Sequence, residues 1–237
     1  MSRRRAEDLI RAGRVTLDGR VAVLGDRGDP ATAAVAIDGV PVPVRPGLVY
    51  ILLNKPAGVI STASDPQRRE TVVDLVPADT RLYPVGRLDA ESEGLLIMTN
   101  DGTLANLVTH PSNEVAKTYM ARVEGNPGTA SLRTLVDGVE LDDGQARAVR
   151  TRVLDSYRSE ALVEVVMTEG RKHEVRRMLA HIGHPVRRLV RTAIGPIRDS
   201  QLEPGGWRAM TPDEVRDLYS AAGATWHDAP AITTTEE

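Results

Sequence analysis

The 237-residue chain contains no cysteine and no phenylalanine, and aromatic residues make up only 3% of it. Without cysteine the protein can form no disulfide, thiolate zinc site or cysteine nucleophile, and a reducing compartment, the cytoplasm, is expected. The core has to be built from valine, leucine, isoleucine and alanine. No apolar run approaches the roughly 20 residues of a membrane span. No apolar segment follows the basic start of the chain, so a secretory signal is not predicted either.

The net charge of −3 hides an uneven distribution of charge along the chain. Six arginines lie within residues 1–20, and eight lysines or arginines lie within residues 169–198. Residues 199–237 reverse the balance, with eight acidic residues against two arginines. A polyanion would meet the two basic segments rather than the average. Either segment taken alone is equally consistent with a solvated helix face.

Residues 3–24 predict a helix followed by a hairpin. Apolar residues recur at helical spacing from Ala6 to Gly13, which predicts one buried face. Asp18 and Gly19 stand between two short apolar runs, a typical hairpin turn. The arginines of the helix lie largely off the buried face, an arrangement that suits phosphate binding.

The central stretch of the sequence is residues 86–94, GRLDAESEG, a polar loop closed by two glycines that leads directly into the apolar run 95–98. A carboxylate where a loop meets a strand is held by rigid backbone while its oxygens face outwards, which suits chemistry. Asp89 is therefore a candidate functional acid. The local pattern alone is equally consistent with a solvated loop charge.

Two metal sites are conceivable from the sequence, and both are disfavoured. Asp89, Glu91 and Glu93 alternate, but in a curved loop their side chains are expected to diverge rather than gather around magnesium. His181 and His184 lie three residues apart, but no third zinc ligand stands nearby at a suitable spacing. We therefore predict no metal site.

Residues 169–179 form the second informative stretch, and Val175 and Met178 begin an apolar helix face there. At about 100° per residue, Arg177 points almost opposite that face, whereas Arg176 lies on its flank. A guanidinium on the flank of a helix can be half-buried and can pair with an acid of a neighbouring element. We therefore interpret Arg176 as a candidate ion-pair partner and Arg177 as the more solvated of the two.

Residues 1–45 resemble the small RNA-binding domain of the ribosomal protein S-four type. The matching residues are Ser2-Arg3-Arg4, Leu9-Ile10, Gly13-Arg14-Val15 and Asp18-Gly19. The resemblance implies that Arg3, Arg4 and Arg14 bind RNA. In that family a further helix precedes the Ser-Arg-Arg stretch, so the domain is expected to be shortened at its N-terminus.

Five motifs follow one another along the rest of the chain. They are residues 54–58 (NKPAG), 86–96 (GRLDAESEGLL), 100–102 (NDG), 117–119 (KTY) and 169–178 (EGRKHEVRRM). Each motif is modest alone, but in this order they closely resemble the pseudouridine synthases of the RsuA/RluB/RluE/RluF family, which modify ribosomal RNA.

This resemblance implies an α+β fold with a catalytic domain over residues 48–222, built on a mixed, mainly antiparallel sheet with flanking helices. The small N-terminal α/β RNA-binding domain would occupy residues 1–45, and residues 224–237 are expected to form an acidic, disordered tail. The implied substrate is ribosomal RNA, of the large subunit rather than the small, acted on by a monomer without cofactor or metal ion.

The same resemblance implies roles for individual residues. Asp89 would be the catalytic aspartate, Tyr119 the tyrosine that stacks on the target base, and Arg176 the basic residue that pairs with the aspartate. Leu189 would pack under the uracil. The remaining substrate- and RNA-binding residues implied in this domain are Arg87, Lys55, Arg171, Lys172, His173 and Arg177.

Two other functions remain open at this point. A non-catalytic RNA-binding factor for ribosome assembly would keep the fold but would not need Asp89, Tyr119 and Arg176 together. A metal-dependent RNA hydrolase would use the three acids of the central loop and is the less favoured of the two.

Overall fold

The computed structural model describes residues 3–28, 33–41, 47–78 and 80–224. The contacts within the chain divide it into two compact units, one ending at Leu48 and the other beginning at Val49. Within the described ranges, no helix has the length and apolar character needed to cross a membrane. Almost all of the expected acidic tail, residues 224–237, lies outside the described residues.

The first unit is a helix with a small antiparallel sheet. Its elements are α1 (Arg3–Arg11), β1 (Val15–Leu17), β2 (Arg20–Val21), β3 (Val35–Ile37) and β4 (Val40–Pro41), with the strands in the order β2-β1-β3-β4. The predicted helix and hairpin are both present. Leu9, Val15, Leu17 and Ala22 form the buried core of the unit.

The second unit is built on one large sheet. Its strands are β5 (Tyr50–Lys55), β6 (Tyr83–Pro84), β7 (Glu93–Thr99), β8 (Lys117–Glu124), β9 (Val139–Leu141), β10 (Gly144–Ala146), β11 (Arg150–Tyr157), β12 (Glu160–Met167), β13 (Val186–Ile194), β14 (Ile197–Arg198) and β15 (Trp207–Ala209). Its helices are α2 (Gly102–Thr109), α3 (Thr129–Asp137), α4 (Glu174–His181) and α5 (Pro212–Ala221), with a 3₁₀ turn at Pro111–Asn113.

The strand order of the large sheet is β11-β12-β8-β13-β7-β5-β15, with β14 beside β13 and β6 beside β7. The strands β7 and β13 run parallel, and the other pairings of the sheet are antiparallel. The fold is α+β with a mixed, mainly antiparallel sheet, as predicted. Strands β9 and β10 form a separate hairpin with its turn at residues 142–143.

The parallel pair at the centre of the sheet depends on one glycine. Gly94 of β7 lies beside Arg191 of β13 in register. A Cβ atom on Gly94 would lie 2.2 Å from the backbone oxygen of Arg191, and the φ angle of Gly94 is +108°. Glycine is therefore needed both for the close approach of the strands and for the backbone conformation.

A buried carboxylate joins the start of α2 to both ends of the second unit. Asp101 caps α2, because its Oδ1 accepts hydrogen bonds from the backbone N–H groups of Thr103 and Leu104. Its Oδ2 accepts hydrogen bonds from the hydroxyls of Tyr50 (2.8 Å) and Tyr219 (2.7 Å). Burial and this neighbouring carboxylate raise the pKa of Tyr50 far above its usual value. Asp101 thereby holds β5, α2 and α5 together.

Candidate active site

Asp89 lies on the loop between β6 and β7, and buried polar groups fix the backbone of that loop. The hydroxyl of Ser61 donates to the carbonyl of Leu88 (2.8 Å) and accepts from its N–H (3.1 Å). The N–H of Gly58 donates to the carbonyl of Ala90 (2.8 Å). The residues on both sides of Asp89 are thus tied to the 58–61 segment, while the side chain of Asp89 remains 26% exposed.

Lys55 holds the same loop from inside the protein. Its side chain is fully buried, and its Nζ donates to the carbonyl oxygens of Pro56 (2.8 Å), Ala90 (3.2 Å) and Ser92 (2.7 Å). Burial lowers the pKa of Lys55 to about 8, while the carboxylates of Glu93 and Asp89 oppose that shift. In this structure the fully buried ammonium of Lys55 binds three carbonyls and supports the loop, and its substrate-binding role stays a prediction.

Arg176 also contacts the loop rather than Asp89 itself. Its Nη2 lies 3.3 Å from the carbonyl oxygen of Glu91 and 3.5 Å from the hydroxyl of Ser92, and its Nη1 lies 3.4 Å from the carbonyl oxygen of Val186. Within the described residues no ion pair joins Arg176 to Asp89, so the predicted pairing is absent from this structure. The reason is geometric, because the guanidinium of Arg176 is placed against Glu91 and Ser92 of the loop and not against the carboxylate of Asp89.

His173 occupies the place beside Asp89. Its Nε2 lies 3.3 Å from Oδ1 of Asp89, so the two form an ion pair when the imidazole is protonated. The residue stands at the N-terminus of α4 with φ +53°, in the left-handed region that is uncommon for histidine. The imidazole is 49% exposed, and this contact therefore lies at the open side of the site.

Asp89 opens into a cavity of about 480 Å³, a volume that suits a nucleoside-sized ligand. Tyr119 of β8 and Leu189 of β13 line the cavity and are both buried. Tyr119 stands directly opposite Arg191 in register, so their side chains share one face of the sheet. Leu189 precedes Arg191 by two residues and faces the same way. The structure brings together Asp89, Tyr119 and Leu189 as the sequence predicted.

Two cations stand in the cavity that the sequence reasoning did not select. Arg191 is only 4% exposed, its Nε donates to the carbonyl of Leu95 (2.7 Å), and it lines the cavity. Lys117 also lines the cavity, and its Nζ donates to the carbonyl of Val108 (3.1 Å). Burial, reinforced by the charge of Arg191, lowers the pKa of Lys117 to about 8. For Arg191, the sequence did hold a signal of burial, because this arginine follows Leu189 by two residues and so falls on the same face of the strand.

Arg171 and Arg177 are tied into the protein by acidic partners. Arg177 binds both oxygens of Asp143 at 2.8 and 2.9 Å, and its guanidinium lowers the pKa of that carboxyl. Arg171 donates to Glu174 (2.8 Å) and also to the backbone of the β9–β10 hairpin. Arg177, which was expected to be the more solvated of the two arginines, is 27% exposed and paired with the acidic hairpin turn, and Arg176 is half-buried as well.

The remaining candidate RNA-binding residues differ in whether their side chains are exposed or already paired with an acid. Arg87 and Lys172 are exposed and line the cavity, so their side chains are accessible to a ligand. Arg4 of α1 is also exposed, whereas Arg14 is bound by both oxygens of Asp38. The side chain of Arg3 lies outside the described residues. RNA binding by these arginines and by Lys172 stays a prediction.

The side chains of Asp89, Glu91 and Glu93 in the central loop do not converge on one point where they could share a metal ion. The side chain of Glu93 is bound by Arg188 at 2.7 and 2.8 Å, which lowers its pKa, and Glu91 is exposed. Across the part of the chain that the structure describes, no three His, Cys, Asp or Glu side chains are grouped so that they could hold a metal ion.

Comparison with known proteins places this site in a family. The sequence pattern of the family described as RNA pseudouridylate synthase matches residues 49–181, more than half of the chain. The chain belongs to this family. An uncharacterised RNA pseudouridine synthase of Mycobacterium leprae is 47% identical over 94% of the chain and 89% of its own length. The ribosomal large subunit pseudouridine synthase B of Bacillus subtilis is 38% identical over 93% and 91%.

A solved structure agrees with the sequence comparisons. The crystal structure of a pseudouridylate synthase matches with a TM-score of 0.67 at 26% identity and covers 92% of this chain and 94% of that one. The protein is therefore an RNA pseudouridine synthase, and its Asp89 cavity lies largely within the matched residues. Leu189 and Arg191 come from β13, after the matched segment ends.

Proposed function

We propose that this enzyme converts a uridine of large-subunit ribosomal RNA to pseudouridine, with Asp89 as the group that acts on the ribose. The observation that carries the proposal is the position of Asp89. Its carboxylate faces a nucleoside-sized cavity, and its backbone is clamped by Ser61 and Lys55. The relatives from Mycobacterium leprae and Bacillus subtilis support the reaction, and the name of the latter supports the large subunit.

The reaction moves the ribose from N1 to C5 of the same base. The N1–C1′ bond breaks, the uracil turns over, C5 bonds to C1′, the proton on C5 is lost and N1 regains a proton. A carboxylate serves this sequence either by attack on C1′ or by removal of a proton from C2′, and in both cases the uracil is detached while the ribose stays in place. The overall change is an isomerisation, so its stoichiometry requires no oxidant or reductant.

The other cavity residues then have defined tasks. Tyr119 offers its ring to the base once that base has left its stack in the RNA, a step that costs a few kcal/mol. Leu189 packs against the base from the neighbouring strand. The exposed Arg87 and Lys172 of the cavity lining hold the RNA backbone, and exposed arginines of the first unit, such as Arg4, add their own affinity for RNA. The enzyme would work in the cytoplasm, where ribosomes are assembled.

The test is to incubate the purified protein with unmodified ribosomal RNA and to map pseudouridine by carbodiimide treatment and primer extension. The expected result is one or a few new stops in large-subunit RNA that depend on the wild-type protein. Stops only in small-subunit RNA would contradict the proposed substrate, and no stop in either RNA would contradict the proposed reaction on free RNA.

The same experiment with Asp89→Asn separates catalysis from binding. Asparagine keeps the size of the side chain but cannot act as the carboxylate. RNA binding, measured in parallel by filter retention, should remain within about threefold of the wild type while the stops disappear. Stops of equal strength with Asp89→Asn would instead favour an RNA-binding role for the protein.

A further inference from the structure

Arg191 is a buried cation for which the described part of the chain supplies no matching anion. Its side chain is 4% exposed, and its Nε is held by the carbonyl of Leu95. Its Nη2 is buried and has no hydrogen-bond partner among the residues that the structure describes. Within the same residues no carboxylate lies within ion-pair distance of its guanidinium. A buried guanidinium left in this state is costly, and such a group is retained where a ligand completes its contacts.

The charge of Arg191 acts on the cavity that holds Asp89. Both residues line this cavity, and so does Lys117, whose ammonium donates to the carbonyl oxygen of Val108. The positive charge of Arg191 contributes to the lowered pKa of Lys117 and to that of Lys55. The part of the cavity wall formed by β8 and β13 therefore carries positive charge from Lys117 and Arg191, while the carboxylate of Asp89 stands on the loop before β7.

The proposed reaction places a negative charge in this cavity. When the N1–C1′ bond breaks, its electron pair stays on N1 of the uracil and is delocalised to O2 and O4. We propose that Arg191 is a further substrate-binding residue, whose guanidinium stabilises the detached uracil anion while Asp89 acts at the ribose. The electron pair stays on the base until C5 bonds to C1′, and no group is gained or lost by Arg191. A donor fixed before the reaction, in a site that excludes water, is suited to charge that develops in the transition state.

Two other partners for Arg191 fit the structure less well. A phosphate of the RNA backbone would meet the exposed Arg87 and Lys172 first, because Arg191 is only 4% exposed. Asp89 is approached by His173 rather than by Arg191. Each of these alternatives predicts a different result in the experiment below.

The experiment compares two leaving groups and rests on the proposed function, because it uses the RNA site mapped with the wild-type enzyme. RNA fragments carry either uridine or 5-fluorouridine at that site. Fluorine withdraws electrons, so the detached base is a weaker base and needs less stabilisation by the protein. Wild type, Arg191→Gln and Arg191→Lys are mixed with RNA under single-turnover conditions. Loss of the N-glycosidic nucleoside is followed by nuclease digestion and chromatography. Arg187→Gln is the matched control, since Arg187 lies on the same strand but is 64% exposed and paired with Glu124.

We expect Arg191→Gln to lower the cleavage rate of uridine more than that of 5-fluorouridine. Arg191→Gln should slow cleavage of uridine about 100-fold and cleavage of 5-fluorouridine less than about tenfold, because removal of a fixed donor costs on this order. Arg191→Lys should keep part of the rate for uridine, and it also reports on the role of the charge if the glutamine variant does not fold. Arg187→Gln should leave both rates unchanged.

Three results would overturn the inference. An equal loss for both bases would place the effect of Arg191 on Asp89 or on the fold. Weaker RNA binding with unchanged cleavage rates would make Arg191 a phosphate-binding residue. Unchanged rates and binding would leave it no role in the reaction. Failure of the proposed function itself is distinct, because then the wild-type protein would cleave neither nucleoside.

Discussion

Nε2 of His173 lies 3.3 Å from Oδ1 of Asp89, and within the described residues this histidine is the ion-pair partner of the carboxylate. The contact is partly open to solvent, since the two side chains are 49% and 26% exposed. A partly solvated pair of this kind contributes about 1 kcal/mol or less. The imidazole is thus placed to be displaced by an incoming nucleotide rather than to fix the carboxylate.

The first prediction concerns His173→Asn, a change that removes the imidazole but suits the φ of +53° at this position. The single-turnover rate should fall by no more than about fivefold, because the lost interaction is weak. The measurement is pseudouridine formation with enzyme in excess over RNA. A loss as large as that of Asp89→Asn would instead show that His173 takes part in the chemistry.

Lys55→Met tests the support beneath the catalytic loop. Methionine fills a similar volume but cannot bind the carbonyls of Ala90 and Ser92. We expect the single-turnover rate to fall about 100-fold, since a displacement of 1 Å in a catalytic group has effects of this order. RNA affinity should stay within about threefold, because the side chain is fully buried.

The control for that prediction is Lys172→Met at the exposed rim of the cavity. It should show the reverse pattern, with weaker RNA binding and a nearly unchanged rate for bound RNA. Weaker binding by Lys55→Met, with its rate for bound RNA intact, would restore the role that the sequence had suggested for Lys55.

The same lysine predicts a dependence of stability on pH. Its pKa is lowered from 10.5 to about 8 in the folded protein, so between these values the unfolded chain binds the proton that the folded protein has lost. The free energy of unfolding of the wild type should therefore rise with pH in this window relative to Lys55→Met, by up to about 3 kcal/mol. Urea unfolding of both proteins at pH 7, 8, 9 and 10 measures the difference. A constant difference, or one that changes in the opposite direction, would show that the lysine keeps its ordinary pKa.

Gly94→Ala tests the close approach of β7 and β13. The added methyl group would meet the backbone of Arg191, and the φ of +108° is unfavourable for alanine. The expected loss in free energy of unfolding is about 2–4 kcal/mol, from overpacking and backbone strain together. Gly144→Ala is the control, since Gly144 has φ +105° but nothing within 4 Å of its Cβ position. In Gly144→Ala the free energy of unfolding should fall only by the contribution of backbone strain, about 1 kcal/mol. Equal losses in free energy of unfolding in the two variants would show that contact with the backbone of Arg191 adds no cost at position 94.

The sequence predicted those elements that are determined by local patterns. The apolar spacing from Ala6 marked α1, and the apolar spacing from Val175 marked α4. The two-glycine loop before β7 placed Asp89 where a rigid backbone holds it. In contrast, β11 (Arg150–Tyr157) was missed, because its side chains are mostly exposed and show no apolar face.

The partners of charged side chains were less predictable, because they depend on which elements the fold brings together. Lys55 was assigned to RNA through the family resemblance, whereas in the structure it lies beneath the loop and binds three carbonyls. Arg177 has its partner on a hairpin more than 30 residues earlier, at Asp143. Arg191 was overlooked because two exposed arginines, Arg187 and Arg188, precede it on the same strand, and its burial follows from the position of that strand in the sheet.

With Asp89 as the catalytic group, the enzyme detaches the uracil of a uridine in RNA from C1′ and reattaches it through C5. Formation of a C5–C1′ bond releases the hydrogen on C5, so large-subunit ribosomal RNA labelled with tritium at C5 of uridine reports the reaction directly. The wild-type protein should release tritium into water in a fixed ratio to the pseudouridine formed, and Asp89→Asn should release none above background. Tritium release by the variant at the wild-type rate, or none by the wild type on RNA that it binds, would contradict the claim.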